Sequence, residues 1–343
     1  MKKLLVTTAL AGVILSGSAF AQTTITGELR IGYKAQSKGA TIGSSRGFGQ
    51  ENQINIQHKG KTNIGLDYAA GFSIENDGEQ TGTIFNENTY IDLTNASSGT
   101  TLSIGRDHIQ RSDSARNAAV FFGYDGSDVI EGYAANTSSQ LIQATPGTNA
   151  GQSFGIGIIQ DVAKIGKLSY NYVPTTSAPA TSEETPTDNA PGAYEIGFVG
   201  DLGVKGLNTY AFKGKANSRT PGQTYTAEQT NLGIAYTVGN FSAGYERTKH
   251  QGRNTVLLGQ EITENGYGVA YAITKDISIQ GHLNKAKRET SAAEAEVKSI
   301  QVGYNLGPVA LVVGYGEGEN VDGTTAAASQ VDGVGFVRLV GAF

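Results

Sequence analysis

The four histidines are the residues of this sequence with the widest chemical use, because an imidazole acts as acid, base or metal ligand near neutral pH. His58, His108, His250 and His282 are scattered and form no H-x-x-x-H pattern, and the sequence has no G-x-S-x-G pattern. Asp107 adjoins His108, but no paired serine or second acid stands at a fixed spacing from them. The sequence predicts no enzyme active site, no cofactor and no metal ligand set. Without a twelve-residue calcium loop, calcium binding stays open.

The charge and the cysteine content exclude two classes of protein. The formal net charge is −5, and loss of Lys2 and Lys3 with a leader would make it −7. Nucleic-acid-binding proteins show basic surfaces, so a nucleic acid is not an expected partner. The chain contains no cysteine, which rules out a small secreted scaffold held by disulfides.

The first 21 residues have the order of a secretory signal. Lys2 and Lys3 give a positive start, residues 4–17 form an apolar core, and Ala19-Phe20-Ala21 supplies an A-x-A cleavage site. The apolar run is too short for a membrane span. We therefore expect a signal peptide at 1–21, and a mature domain at 22–343.

Apolar and polar residues alternate through most of the mature chain, which is the period of a β-strand with one oily and one wet face. Ile277, Ile279 and Leu283, for example, alternate with Gln280 and His282. This pattern predicts about sixteen strands. Their windows are 23–35, 50–59, 62–74, 87–94, 100–106, 153–160, 165–173, 193–201, 205–214, 226–237, 240–248, 264–273, 276–286, 296–306, 309–317 and 332–343.

The connections between these windows alternate between long and short. Tight links, such as 60–61, 161–164 and 307–308, stand between successive long ones. Soluble β-sandwiches have no reason to alternate in this way, and a β-helix would show a short repeat that is absent here. Residues 174–192 have the composition of a linker, but the alternation continues through them, which indicates one domain. The fold class expected is an all-β, transmembrane, antiparallel up-and-down barrel.

The end of the chain carries a resemblance to a known family. Residues 335–343 form an alternating strand that ends in Phe343. A terminal Phe on the last strand is what the barrel assembly machinery recognises in outer-membrane proteins. With the loop pattern, the chain resembles the Gram-negative general diffusion porins, which are sixteen-stranded trimers.

The resemblance implies that the third outer loop folds into the barrel and narrows it. The matching connection, 107–152, is the longest, and it follows Gly105-Arg106, which resembles the Gly-Arg that ends the family's fifth strand. Its acidic candidates are Asp113, Asp125, Asp128 and Glu131, with 128–131 as the acidic tip. The family's Pro-Glu-Phe-Gly-Gly stretch is missing here.

The facing basic wall, carried over by position, would use Arg30, Lys34, Lys59 and Arg106. Opposed charges across a narrow aqueous gap make a transverse field that orients dipolar solutes. Alternation directs Arg30 and Lys34 into the lumen. Arg106 shares its parity with Leu102 and Ile104, so it would need a bulge at the strand end to turn inward.

The function that follows is a water-filled outer-membrane pore for passive diffusion of ions and small hydrophilic solutes. Expected partners are a homotrimer of this chain, outer-membrane lipid and lipopolysaccharide, and the barrel assembly machinery. The alternatives are a substrate-specific channel, which would need a ladder of aromatic or basic residues along the lumen, and a plugged barrel that acts as an adhesin or receptor. The sign of the ion selectivity and the exclusion size stay open.

Overall fold

Sixteen antiparallel strands close into one barrel in the described part of the chain. The computed structural model describes residues 22–38, 45–76, 85–106, 118–124, 129, 154–173, 192–217, 226–251, 261–321, 325 and 330–343. Each strand pairs with its neighbours in sequence, and β1 pairs with β16 to complete the ring. The expected fold class is confirmed.

The strands match the expected windows in number and order. They are β1 Gln22–Lys38, β2 Ser45–Lys61, β3 Asp67–Asn76, β4 Phe85–Asn95, β5 Thr100–Arg106, β6 Phe154–Val162, β7 Gly166–Val173, β8 Ala193–Gly200, β9 Leu207–Asn217, β10 Thr226–Val238, β11 Phe241–Gln251, β12 Glu261–Ala272, β13 Ile277–Arg288, β14 Ala295–Asn305, β15 Val309–Glu319 and β16 Val331–Ala342.

The two faces of the sheet differ in burial as the alternation predicts. On β13, Gln280, His282 and Asn284 are buried among the lumen contents. The outer face of the sheet carries exposed apolar side chains, such as Val269 on β12 at 51% exposure and Ile300 on β14 at 52%. Because lipid covers this outer face in a membrane, exposed apolar residues are the expected arrangement.

One turn differs from the sequence prediction. The first tight link was expected at 60–61, but β2 continues through Lys61 and the turn lies at 62–66. The Thr62 hydroxyl accepts a hydrogen bond from the Leu66 amide at 3.0 Å, and Gly65 adopts a φ of 86°. A side-chain cap and a glycine in the left-handed region define a turn that alternation alone does not reveal.

The carboxyl terminus closes the barrel at β1. The Phe343 amide donates to the Gly27 carbonyl at 3.0 Å, and the Gly27 amide donates to the Phe343 carbonyl at 2.8 Å. The Phe343 ring covers Gly27 so closely that a Cβ there would lie 2.2 Å from its Cζ atom. The terminal aromatic residue thus holds a place in the β1–β16 seam.

Among the residues that the structure describes, no helix is both long enough and apolar enough to cross a membrane.

Candidate functional site in the lumen

Residues 118–124 of the third long connection lie inside the barrel. Ala118 and Ala119 are 4% and 1% exposed. Their carbonyl oxygens would lie 1.8 Å and 1.6 Å from a Cβ placed on Gly244 and Gly268, respectively. The backbone of the segment therefore rests directly on β11 and β12, where the absence of a side chain makes room for it.

Two lumen-facing glutamines fasten the segment to the wall. The Gln280 Oε1 atom on β13 accepts hydrogen bonds from the amides of Phe121 and Phe122 at 3.0 and 3.2 Å, and its Nε2 donates to the Phe122 carbonyl. On β14, the Gln301 Oε1 accepts from the Tyr124 amide at 3.0 Å, and its Nε2 donates to the Tyr124 carbonyl at 2.6 Å. Each side-chain amide satisfies main-chain groups in the way that a neighbouring strand would.

An apolar cluster inside the barrel supports the same segment. Val129 is fully buried, and it packs with Val297 and Val334, which are also fully buried, and with Phe336. Phe122 and Tyr124 pack against this cluster. Loop and wall side chains therefore fill this side of the lumen.

The segment ends at Tyr124, whose ring lies close to two cations of the wall. The Arg338 Cζ atom lies 4.6 Å from the ring centroid, and the Lys34 Nζ atom lies 5.5 Å from it. Both separations are in the range of cation–π attraction. Phe336 meets the ring edge-on at 5.0 Å, and Arg338 Nη1 donates to the Gly123 carbonyl at 3.4 Å.

Arg30 stands beside this group with its own carboxylates. Its side chain forms ion pairs with Glu28 on β1 and Glu51 on β2. All three side chains are partly exposed, at 31–39%. Arg30, Glu28 and Glu51 together carry one negative charge. The net positive charge at this place in the wall therefore comes from Lys34 and Arg338.

A cavity of about 240 Å³ joins these groups. It is bounded by β1, β2, β16 and the tip of the segment, and is lined by Arg30, Gly32, Lys34, Gly47, Gly49, Gln50, Glu51, Tyr124 and Arg338. Gly32 on β1 and Gly47 and Gly49 on β2 have no side chains to fill this space, which leaves room for water next to the cations. An ion that passes this point meets a polar, charged surface.

The structure separates the four basic residues that the sequence singled out. Arg30 and Lys34 line the cavity described above. Lys59 lies near the opposite end of β2, eight residues after Glu51, and pairs with Gln22 and Ala69. Arg106 is described in its backbone alone, which pairs with Phe154 in a register without a bulge from Thr100 onward. The pairing thus lacks the irregularity that would turn Arg106 inward.

The acidic candidates of the third connection, Asp113, Asp125, Asp128 and Glu131, lie outside the described residues. Their part in a constriction stays a prediction. The described carboxylates that pair with Arg30 are Glu28 and Glu51, which the sequence did not single out.

Arg338, Tyr124 and the two glutamines were also missed, although three of them carried a signal. Arg338 has the parity of Phe336 on β16, opposite to Val337 and Leu339. That parity points it inward, as the same argument did for Arg30. Gln280 and Gln301 stood on wet faces, but only the folded position of the loop shows what they bind.

The described histidines lie apart from this group. His58 Nδ1 lies 2.9 Å from the Thr23 hydroxyl near the opposite end of the barrel, and His282 is buried in the lumen wall. His108 and the side chain of His250 lie outside the description. Within the described ranges, no group of three His, Asp or Glu side chains could hold a metal ion.

Comparison with solved structures shows what the barrel is similar to. The anion-selective porin from Comamonas acidovorans matches with a TM-score of 0.71 and 13% identity, over 94% of this chain and 100% of that one. The in-vitro folded, trimeric form of OmpT, an outer-membrane protein of Vibrio cholerae, matches with a TM-score of 0.60 and 13% identity, over 94% and 99%. A mutant of the Rh. blastica porin gives 0.58 and 14%, over 94% and 100%. No curated protein sequence matches.

Sequence identities of 13–14% to solved structures do not assign the chain to a family, but comparison with models of protein families does. The model of the Gram-negative porin family matches residues 6–323, which is nearly the whole chain. A closed sixteen-stranded barrel with a loop segment in its lumen agrees with that match. The chain belongs to the Gram-negative porins, and it is an outer-membrane channel for passive diffusion.

Proposed function

We propose that ions and small hydrophilic solutes diffuse through the space between residues 118–124 and the wall formed by β1, β2 and β16, and that charge at this point sets the selectivity. The observation that carries the proposal is the contact of the Tyr124 ring with Lys34 and Arg338 beside an open, polar cavity. Transverse fields in a narrow aqueous gap act on every passing ion. The acidic residues of the third connection would complete the field.

The roles of the individual residues follow from this placement. Lys34 and Arg338 supply positive charge, and Arg30 is largely compensated by Glu28 and Glu51. Asp113, Asp125, Asp128 and Glu131 are proposed as the acidic side. Lys59 and Arg106 would contribute less to the field, because neither residue lines the cavity.

Single-channel recording of the refolded mature chain in a planar bilayer tests the proposal. We expect a steady conductance, and a reversal potential in a salt gradient that changes when Asp128→Asn is combined with Glu131→Gln. Absence of any conductance in a correctly folded barrel would refute a diffusion pore. An unchanged reversal potential would remove the two carboxylates from the constriction.

We propose a homotrimer as the working assembly. The Vibrio cholerae protein of similar fold is described in a trimer form. For this chain, three equal closing steps in the conductance record and a mass of three chains in detergent would support the trimer. A single closing step and a one-chain mass would oppose it.

We propose export through cleavage after Ala21 and insertion by the barrel assembly machinery through Phe343. A mature chain that begins at Gln22 would keep the whole of β1. Intact mass of the protein from outer membranes should therefore correspond to residues 22–343. We also propose that the chain has no enzymatic activity, which agrees with its membership of a family of channels.

A further inference from the structure

The charges of the lumen wall change sign along the strands next to the cavity. β5 leads into the long third connection, so the odd-numbered strands run toward the outer end of the barrel. On β1, Lys34 lies six residues nearer to that end than Glu28 does, and both have the parity that points into the lumen. A solute that enters from outside therefore meets a cation first and a carboxylate deeper in the barrel.

Two cations form the outer part of this charge pattern. The Arg338 Cζ atom and the Lys34 Nζ atom lie 4.6 and 5.5 Å from the centroid of the Tyr124 ring. In the register of the sheet, Arg338 stands opposite Gly32, two residues from Lys34. The two side chains thus meet at one place in the wall, which we call the cationic end, and together they carry two positive charges.

Three carboxylates form the inner part of the pattern. Glu28 and Glu51 form ion pairs with Arg30. Glu28 pairs with Gln53, and Gln53 pairs with Glu75 on β3, so the Glu75 side chain lies on the same face of the sheet. The three glutamates and Arg30 together carry two negative charges. We call this group the acidic end.

The two ends are separated by a little more than the length of a short peptide. Lys34 stands opposite Gly47, which lies four residues before Glu51 on β2. Four residues of a strand span about 13 Å, and a fully extended chain of three residues spans about 10 Å. Long side chains at both ends shorten the remaining gap. Lys34, Arg338 and Glu51 all line the same open cavity, so a single solute in it can contact both ends.

This pattern favours a solute that carries both charges. The cationic end and the acidic end have equal and opposite charge, so an inorganic ion is attracted at one and repelled at the other. A solute with a carboxylate at one terminus and an ammonium group at the other is attracted at both. The Debye length is about 10 Å at about 0.1 M salt, so each end acts mainly on the group beside it. Short zwitterionic peptides have this arrangement of charge.

We propose that the cavity binds short zwitterionic peptides, with the carboxylate at Lys34 and Arg338 and the ammonium group at Glu28, Glu51 and Glu75. Lysine and arginine donate hydrogen bonds to a carboxylate, and glutamates accept them from an ammonium group. A transverse field orients a solute across the channel, whereas this pattern aligns the peptide along it, with its amino terminus toward the periplasm. The proposal rests on the proposed diffusion path and adds a binding site and a class of solute.

The test measures the binding of triglycine and of three capped forms. N-acetyl-triglycine keeps only the carboxylate, triglycine amide keeps only the ammonium group, and the doubly capped peptide keeps neither. The full mature chain is refolded into a planar bilayer at about 0.1 M KCl, and the reduction of the single-channel current is recorded against peptide concentration. A unit charge at about 5 Å changes an affinity about fourfold in water, so triglycine should bind at least about tenfold more tightly than the doubly capped peptide.

Two variants remove one charge from each end. Lys34→Gln should weaken the binding of triglycine and of N-acetyl-triglycine about fourfold, and should not weaken that of triglycine amide. Glu51→Gln should weaken the binding of triglycine and of triglycine amide by a similar factor, and should not weaken that of N-acetyl-triglycine. The glutamine at position 51 can still accept a hydrogen bond from Arg30. A conductance without peptide that is steady in both variants reports correct folding.

The matched controls are Lys167→Gln and Glu264→Gln, which remove the same charges from lumen-facing positions on β7 and β12, away from the cavity. Both should bind the four peptides as the wild type does.

Equal binding of triglycine and the doubly capped peptide by the wild type would overturn the proposal. An effect at one end alone would also overturn it, since the site would then hold a single ion, and so would equal losses in the controls. A correctly folded wild type without conductance would instead refute the diffusion channel, so the two failures are distinguishable.

Discussion

Tyr124 links the loop segment to the charges of the wall, and its two cations differ in their surroundings. Arg338 is 9% exposed and lies closer to the ring than Lys34 does. A guanidinium group stacks on an aromatic face with little loss of hydration. We therefore regard Arg338 as the side chain that keeps Tyr124 in place and Lys34 as the one that an entering anion meets.

Replacement of Arg338 by glutamine should lower the ratio of anion to cation permeability. A unit positive charge about 8 Å away stabilises an anion by about 0.5 kcal/mol in water and destabilises a cation by as much, so the ratio of anion to cation permeability should fall about fivefold. The measurement is the reversal potential in a potassium chloride gradient. Arg247→Gln is the control, because it removes the same charge from the outer surface. Equal shifts in both variants would show that Arg338 acts through the overall charge of the protein.

The parity of a strand residue was enough to direct Arg30 and Lys34 inward, and it would have found Arg338 as well. Parity would also have found Glu28, which lies two residues before Arg30 on the same face of β1, but it could not find Glu51. Glu51 meets Arg30 because β1 and β2 pair in a register that aligns them, and the register is a property of the folded sheet. The direction of a side chain can thus be predicted from the sequence, whereas an ion pair between two strands depends on how the strands align in the folded sheet.

At the scale of elements, the loop segment and the wall are fitted to each other by side chains and by their absence. The hydrogen bonds of Gln280 and Gln301 contribute roughly 1 kcal/mol each to holding the segment. They add nothing to the strand pairing of the barrel, since they join the loop to the wall. Stability of the barrel and order of the loop should therefore respond separately to mutation.

Leucine at both positions, Gln280→Leu with Gln301→Leu, should loosen the segment while the barrel stays folded. We expect more open-channel current noise and a wider spread of conductance levels, with little change in the thermal unfolding midpoint. Gln53→Leu makes the same chemical change on the lumen face of β2 and serves as the control. If the noise of the double variant matched that of the control, the glutamines would not be what orders the segment.

A substitution at a glycine of the wall tests by a steric clash whether the segment 118–124 is fixed against the barrel. Alanine at Gly268 would place its Cβ 1.6 Å from the Ala119 carbonyl oxygen, so the segment must move into the lumen. We expect a lower single-channel conductance. Gly49→Ala is the matched control, because Gly49 also lines the lumen and has no atom within 4 Å of the added Cβ. Equal conductances would mean that the segment is not fixed against β12.

The elements themselves were largely predictable, since each needs only a local pattern. Residues 100–106 and 193–201 were expected as strands and are found at Thr100–Arg106 and Ala193–Gly200. The errors lie at the tips, where β2 begins at Ser45 instead of residue 50. There the strands are extended by pairing with each other, as Gln36 pairs with Ser45, and the residue pattern of a single strand does not show this.

Residues 311–313 on β15 are apolar on both faces of the strand. This pattern indicates that something covers the inner wall, and it was not used in the sequence prediction.

At the scale of the whole molecule, closure is what distinguishes this sheet from an open one. Every strand has two neighbours, so no edge is left unpaired in the membrane, where unpaired main-chain groups would be costly. The seam between β1 and β16 joins the two ends of the chain. Formation of the barrel therefore depends on contacts of the greatest separation in sequence.

Valine at Gly27 tests the seam without changing the terminal residue that we propose as the assembly signal. Its side chain would occupy the space of the Phe343 ring, which lies 2.2 Å from the position of a Cβ. The ring must leave, and the hydrogen bonds between the main chains of Phe343 and Gly27 should weaken with it. We expect a lower midpoint of thermal unfolding, by about 2–5 °C, since each lost kcal/mol lowers it by about 2–4 °C in large domains.

The midpoint is read from the shift in electrophoretic mobility between folded and unfolded barrel on heating. Gly335→Val on β16 is the control, because no atom lies within 4 Å of an added Cβ there. A barrel whose midpoint is the same in both variants would show that the Phe343 ring adds nothing to closure. In that case the terminal aromatic residue would matter during assembly alone, and the stability of the closed barrel would come from the strand pairing that continues from Glu28 and Ala342 upward.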